Sequence, residues 1–193
     1  MEKAHNYLSY DDYINFQKIK TTDPRRRKKW LNEEWQLKID IFKRLFNDNN
    51  QLLSNCNNAL CLGARTGQEV VALQSFGIEA LGIDIVECPP LVIKGDIHDL
   101  QFKDESYDLV FSNIFDHSLY PEKFISEIER VLKKNGLCIM HFQIDTHQDQ
   151  FTEVIIRDFN SVLKLFKNCE LISRKQIESD LIAMNYEIIL KKK

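Results

Sequence analysis

Ala59-Leu60-Cys61-Leu62-Gly63-Ala64-Arg65-Thr66-Gly67-Gln68-Glu69 is the stretch whose reading decides the fold. Four consecutive apolar residues ending at a glycine predict a strand buried on both faces. Gln68 to Ser75, with Val71 and Leu73 among its apolar positions, predicts a helix directly after the glycines. The alternation continues downstream. Ala80–Ile83, Leu91–Ile93 and Tyr107–Phe111 predict further strands, the last followed by a loop up to Pro121. Phe124, Ile125, Ile128, Val131 and Leu132 share one helical face. Gly136 ends that helix before a strand over Leu137–Phe142, and Ile155, Phe159, Val162, Leu163 and Phe166 predict another amphipathic helix. Strands near Leu171 and over Tyr186–Leu190 close the chain. Strands alternating with helices imply an α/β fold, a doubly wound parallel sheet covered on both faces.

Upstream the composition differs. Residues 1–55 are rich in Tyr, Trp, Lys and Arg, contain no glycine, and predict an N-terminal helical extension. A helix is expected around Tyr10–Lys20. Asp23-Pro24 signals the start of a second, because Asp can cap and Pro suits the first helical position. Leu31, Trp35, Ile39, Phe42 and Phe46 carry that helix to Asn47, with Trp35 read as core. Trp30, Tyr7, Tyr10 and Tyr13 are candidates for a substrate lid. The basic run Arg25–Lys29 reads first as a solvated face. It also opposes the helix dipole, so an anionic substrate, a phosphate or an RNA backbone is its functional reading.

Whole-chain properties exclude several classes. The 26 basic and 29 acidic residues give a net charge of -3, which disfavours a bulk nucleic-acid coat protein. No apolar run is long enough for a membrane span, and Met1–Asn6 lacks a signal-peptide segment. The five cysteines are scattered with no C-x-x-C pair, which suits reduced thiols in a cytosolic protein; no His/Cys/Asp cluster has metal-ligand spacing, so no metal is expected.

In a doubly wound sheet, ligands bind outside the carboxyl ends of the strands. Three strand ends carry suitable groups in chain order. Gly63 and Gly67 allow close backbone approach before a helix N-terminus. Asp84 ends the second strand, where a carboxylate accepts from two ribose hydroxyls, and Asp96 can accept from an adenine amine. The dinucleotide fingerprint G-x-G-x-x-G is not matched, because Arg65 stands where its second glycine belongs. Hydride transfer is therefore disfavoured.

The segment Leu60–Phe142 resembles the class I S-adenosylmethionine-dependent methyltransferases of the type 11 kind. The resemblance rests on Gly63–Gly67, Gly82-Ile83-Asp84, Gly95-Asp96-Ile97-His98-Asp99-Leu100, Phe102–Val110, and Glu127–Gly136, which is similar to E-x-x-R-V-L-K-P-G-G. The strings Gly63–Glu69 and Phe115–Pro121 also resemble a plant subgroup of methyltransferase-domain proteins. The resemblance implies a Rossmann-like seven-stranded sheet in the order 3-2-1-4-5-7-6, last strand antiparallel, over residues 56–193. It implies S-adenosylmethionine as cofactor, its methionine part on Gly63, Ala64, Arg65 and Gly67. Asp84 is expected to hold the ribose, Ile85 to pack on adenine, and Asp96 with the Ile97 backbone to read its edge. Ser112 and Asn113 are expected to face the methyl donor. Two positions depart from the family: Cys61 replaces an acidic residue and Arg65 the middle glycine, with an Arg65–Glu69 pair as one compensation.

Methyl transfer needs alignment, and a base only where the acceptor carries a tightly held proton. Asp116 and His117 are the candidate catalytic residues, an Asp-His neighbour pair able to tune an imidazole. On an extended segment the two side chains point opposite ways, and the ordinary reading is a helix cap and a packed ring. His141 is a second mouth-facing candidate, while His98 and His147 read as surface or loop residues. The expected reaction is methylation of an oxygen or nitrogen on a small molecule. The alternatives are a binding module that has lost catalysis and an RNA methyltransferase, the latter less favoured because Ser112–Phe115 stands where an N-P-P-Y tetrapeptide would be.

Overall fold

The computed structural model describes residues 1–144, 149–178 and 184–193; His147 lies outside them. Seven strands form one sheet: β1 Asn58–Leu62, β2 Glu79–Asp84, β3 Val92–Lys94, β4 Tyr107–Ser112, β5 Leu132–Phe142, β6 Cys169–Gln176 and β7 Tyr186–Lys192. Their order is β3-β2-β1-β4-β5-β7-β6. β7 runs antiparallel to β5 and β6, and the other pairings are parallel. Among the described residues no helix is long and apolar enough to cross a membrane.

Alternation along β1 explains the two layers. Leu60 and Leu62 join a core cluster with Phe124, Ile125 and Ile128 of α5 (Pro121–Val131). Ala59 and Cys61 join the opposite cluster with Phe42 and Phe46 of α3 (Trp35–Asn47) and Val70 and Leu73 of α4 (Gln68–Gln74). These side chains are at most 2% exposed, and each large one contributes about 1.5–3 kcal/mol.

Two helices of the extension precede α3. Ser9 caps α1 (Tyr10–Thr22), its hydroxyl accepting from Asp12 N–H. Asp23 caps α2 (Pro24–Lys28) through the N–H groups of Arg25 and Arg26. The expected continuous helix from Pro24 to Asn47 is interrupted by a π-helical turn over Lys29–Glu33. The wider turn resets the helical face: Trp30 is buried, Leu31 is exposed, and Trp35 is only half-buried instead of core.

The sequence also over-extended the sixth helix. α6 spans Phe159–Leu163, capped by Asp158, while Val154–Ile155 is extended and pairs antiparallel with Glu2–Lys3. Apolar spacing alone misses that strand, because its partner lies at the other end of the chain.

His141 does not face the mouth. It is wholly buried in β5, edge-on to Phe111, with Nε2 2.8 Å from Glu187 Oε2. Asn49 and Lys175 also reach Glu187. Burial raises the Glu187 pKa, but the His141 bond and the nearby cations outweigh it and hold the carboxyl below its usual range. A carboxyl depressed in the fold contributes stability above its unfolded pKa and loses it as pH falls. Replacement of Glu187 by Ala is expected to cost about 3–5 kcal/mol at neutral pH, read from urea unfolding, and the gap to wild type should narrow on acidification.

Candidate functional site

The site lies at the carboxyl ends of β1, β2 and β4, where the strand order reverses. Gly63 and Gly67 adopt φ of +73° and +89°, and a Cβ at Gly63 would strike the Ile114 side chain. Arg65 between them also sits in the left-handed region at φ +48°, uncommon for a residue with a side chain. Its backbone N–H donates to Asp84 Oδ2 at 3.0 Å, and Val86 N–H donates to Asp84 Oδ1 at 3.1 Å. Burial pushes the Asp84 pKa up, and these bonds only partly offset it.

Two cavities meet at this loop. The larger, about 370 Å³, lies over Gly63, Ala64, Arg65 and Asn113. The smaller, about 60 Å³, lies over Asp84, Ile85, Asp96 and Ile97 under a roof of Tyr13, Ile14 and Gln17 from α1. Lys20, Gly63, Arg65 and His117 border both. Of the expected cofactor residues only Gly67 and Ser112 line neither cavity. Gly67 turns the chain into α4, and Ser112 is fully buried, its hydroxyl donating to Leu62 O and accepting from Ile114 N–H.

On the smaller cavity Asp96 is already engaged. Tyr10 Oη donates to its carboxylate at 2.7–2.8 Å, and His98 N–H donates to Oδ1. His98, expected at the surface, is 1% exposed and bonded to Tyr10 Oη and Ser118 Oγ. The cleft is thus narrow, with the Tyr10–Asp96 bond closing one side of it.

Asp116 and His117 both line the larger cavity, on a 3-10 turn over Phe115–His117 instead of an extended segment. That turn is why the two neighbours reach one space. His117 Nδ1 lies 2.7 Å from Phe151 O, which can only accept, so Nδ1 carries the proton. Nε2 lies 3.1 Å from Lys20 Nζ and 3.9 Å from Asp116 Oδ2. Burial lowers the His117 pKa, against the pull of Asp116. Asp116 Oδ1 is buried and has no hydrogen-bond partner.

Sequence reasoning missed the part of the cavity that the extension builds. Lys20 is buried and paired with Asp149 at 2.7 Å; burial and Arg65 lower its pKa to about 8, against Asp149. Arg26 and Trp30 line the larger cavity, so the basic run is not simply a solvated face, and Arg27 buries an unbonded Nη1. Glu34 and Lys38 form an i,i+4 pair at 2.6 Å, the one signal visible in the sequence. Arg65 and Glu69 share the cavity without a hydrogen bond or ion pair between them. The Arg65 guanidinium lies over Trp30 at 5.5 Å, and burial pushes the Glu69 carboxyl up to about 7.

Residues 60–140 match the sequence model of the family described as the methyltransferase domain. An uncharacterized protein of Methanocaldococcus jannaschii is 30% identical over 100 residues, 51% of this chain and 46% of that protein; the chain thus spans about half the length of that relative. The 1,6-didemethyltoxoflavin-N1-methyltransferase of Burkholderia thailandensis, solved with 1,6-didemethyltoxoflavin and S-adenosylhomocysteine, superposes with a TM-score of 0.74 at 12% identity, covering 98% of this chain and 93% of that one. A SAM-dependent methyltransferase from Archaeoglobus fulgidus gives 0.61 at 18% identity, covering 84% and 98%. At these identities the two structures speak for the fold. Residues 60–140 thus carry the methyltransferase-domain match, and the chain as a whole has the fold of those two structures. The Burkholderia structure holds S-adenosylhomocysteine in that fold.

The residues present fit that ligand: glycines at which a Cβ would clash, the buried Asp84 carboxylate, and the partnerless Asp116 Oδ1 in the larger cavity. Asp84→Ala is expected to weaken S-adenosylhomocysteine binding by about 1–3 kcal/mol in calorimetry. Tyr10→Phe frees Asp96 for the adenine amine and should tighten that binding severalfold. Weaker binding in Tyr10→Phe would show that the tyrosine orders the adenine edge instead of competing for it.

Proposed function

We propose that this chain transfers a methyl group from S-adenosylmethionine to a nitrogen or oxygen of a small molecule, with residues 1–55 acting as a lid. The observation that carries the reading is the His117–Asp116 pair beside the glycine loop. His117 has its Nδ1 proton fixed on a carbonyl, so Nε2 is the accepting nitrogen, which Lys20 Nζ faces at 3.1 Å until an acceptor takes its place. The partnerless Asp116 Oδ1 can receive a donor from the acceptor. Bound S-adenosylmethionine supplies an electrophilic methyl on a positively charged sulfur. The chain's own residues orient the acceptor, hold its proton at His117 Nε2 and keep bulk water out under α1. Asp116, 3.9 Å from Nε2, stabilises the imidazolium formed when that nitrogen is protonated. Asp84, Ile85, Asp96 and Ile97 hold the adenosine half, and Gly63, Ala64, Arg65 and Asn113 the methionine half, with Gly67 and Ser112 shaping the loop behind them.

A small acceptor is favoured over RNA because Arg26, from the basic run, is committed to the cavity. One observation favours a binding module instead: the adenosine cleft is narrow and Asp96 is held by Tyr10. Failure of millimolar S-adenosylhomocysteine to bind a folded sample would select the module.

His117→Ala is expected to leave S-adenosylhomocysteine affinity nearly unchanged and to slow methyl transfer about 100-fold or more. Turnover should rise as pH climbs through the His117 ionisation, below the usual histidine range, and show a second inflection near pH 8 from Lys20. Lys20→Met should remove that second inflection.

A further inference from the structure

The larger cavity contains more charge than the cofactor needs. Two of its ion pairs are closed within the protein, Lys20–Asp149 and Lys38–Glu34. Four charged groups then remain. Arg26 and Arg65 have no carboxylate within ion-pair distance among the described residues; their guanidiniums lie over the Phe151 and Trp30 rings instead, each at 5.5 Å. Glu69 is 4% exposed and bonded at most to its own backbone N–H. Asp116 is 8% exposed with Oδ1 unbonded. The cavity thus presents two guanidiniums without a carboxylate partner and two acidic side chains, Glu69 and Asp116, of which Asp116 keeps Oδ1 unbonded and has Oδ2 3.9 Å from His117 Nε2.

The amino-acid end of the cofactor bears one ammonium and one carboxylate, which uses one group of each kind. Arg65 and Glu69 belong to the glycine loop and the first turn of α4, so they lie beside that end. Glu69 then stands in for the acidic residue that Cys61 replaces. Asp116 and Arg26 are left. Both line the larger cavity: Arg26 and Lys20 lie over the Phe151 ring, and His117, next to Asp116 in the chain, donates to the Phe151 carbonyl. Buried carboxylates and guanidiniums recognise ammonium and carboxylate groups through charge-assisted bonds, the guanidinium in two-pronged fashion.

From this inventory we infer that the methyl acceptor is itself a zwitterion, an amino acid whose amine is held by Asp116 and whose carboxylate is held by Arg26. The inference deepens the proposed methyl transfer and rests on it. The acceptor ammonium gives one proton to His117 Nε2. The freed nitrogen lone pair forms the N–CH3 bond as the C–S bond breaks with its electrons going to sulfur. The products are the N-methyl ammonium and a neutral thioether, and His117 passes its proton to water.

The test uses the full chain loaded with S-adenosylhomocysteine, after calorimetry has shown whether that ligand binds. The twenty standard amino acids, β-alanine and γ-aminobutyrate are compared by thermal shift with the corresponding decarboxylated amines and hydroxy acids. Each is then offered with S-adenosylmethionine carrying a labelled methyl group. The expected result is one or more amino acids that stabilise the loaded protein and take label on nitrogen, while the matching amine and hydroxy acid do neither. Arg26→Gln should weaken that amino acid tenfold or more and leave S-adenosylhomocysteine affinity within twofold; Asp116→Asn should do the same. Amino acids without effect on the loaded protein, or amines that bind as well as their parent amino acids, would overturn the inference. If S-adenosylhomocysteine itself fails to bind, the methyl-transfer reading falls. The same thermal shifts on unloaded protein then decide whether the zwitterion site stands alone.

Discussion

The Asp84 carboxylate, held by the N–H groups of Arg65 and Val86, is the constraint on which the site depends. It ties the end of β2 to the loop leaving β1, so the loop and the carboxylate keep one spacing. The same tie explains why Arg65 can stand where a glycine is usual. Its backbone pays the cost of a left-handed conformation while its N–H closes on a buried acceptor, and its side chain is carried out over Trp30. The loop therefore keeps its course while gaining a cation at the junction of the two cavities.

The remainder of the cavity is made by the extension. α1 and the segment before it are fastened across the strand ends by polar bonds: Tyr7 to Glu153, Tyr10 to Asp96, Tyr13 to the His117 carbonyl, and Gln17 to Phe151 O and Glu153. α3 is fastened differently, by Phe42, Leu45 and Phe46 in the apolar core. α1 thus meets the strand ends largely through polar groups, and α3 is part of the apolar core.

The sheet was legible in the sequence because its signals are local. Apolar runs bounded by glycine mark β1 and β2, and the spacing of Phe124, Ile128 and Val131 marks α5. The strand-end carboxylates followed from topology alone. What stayed hidden depends on contacts distant in the chain. Val154–Ile155 needs Glu2–Lys3, His141 needs Glu187, and Lys20 needs Asp149. The π-helical turn at Lys29–Glu33 was hidden for another reason. It changes the helical period by a fraction of a turn, enough to exchange Trp35 for Trp30 without any change in composition. Asp116 and His117 were found as candidates, but the turn that brings them into one space was not.

α1 roofs the smaller cleft with Tyr13, Ile14 and Gln17, and through Lys20 it also walls the larger cavity. One helix serving two compartments couples their shapes. A substitution that displaces α1 alters the roof of one and the wall of the other together, so the two cavities cannot be reshaped independently from this side.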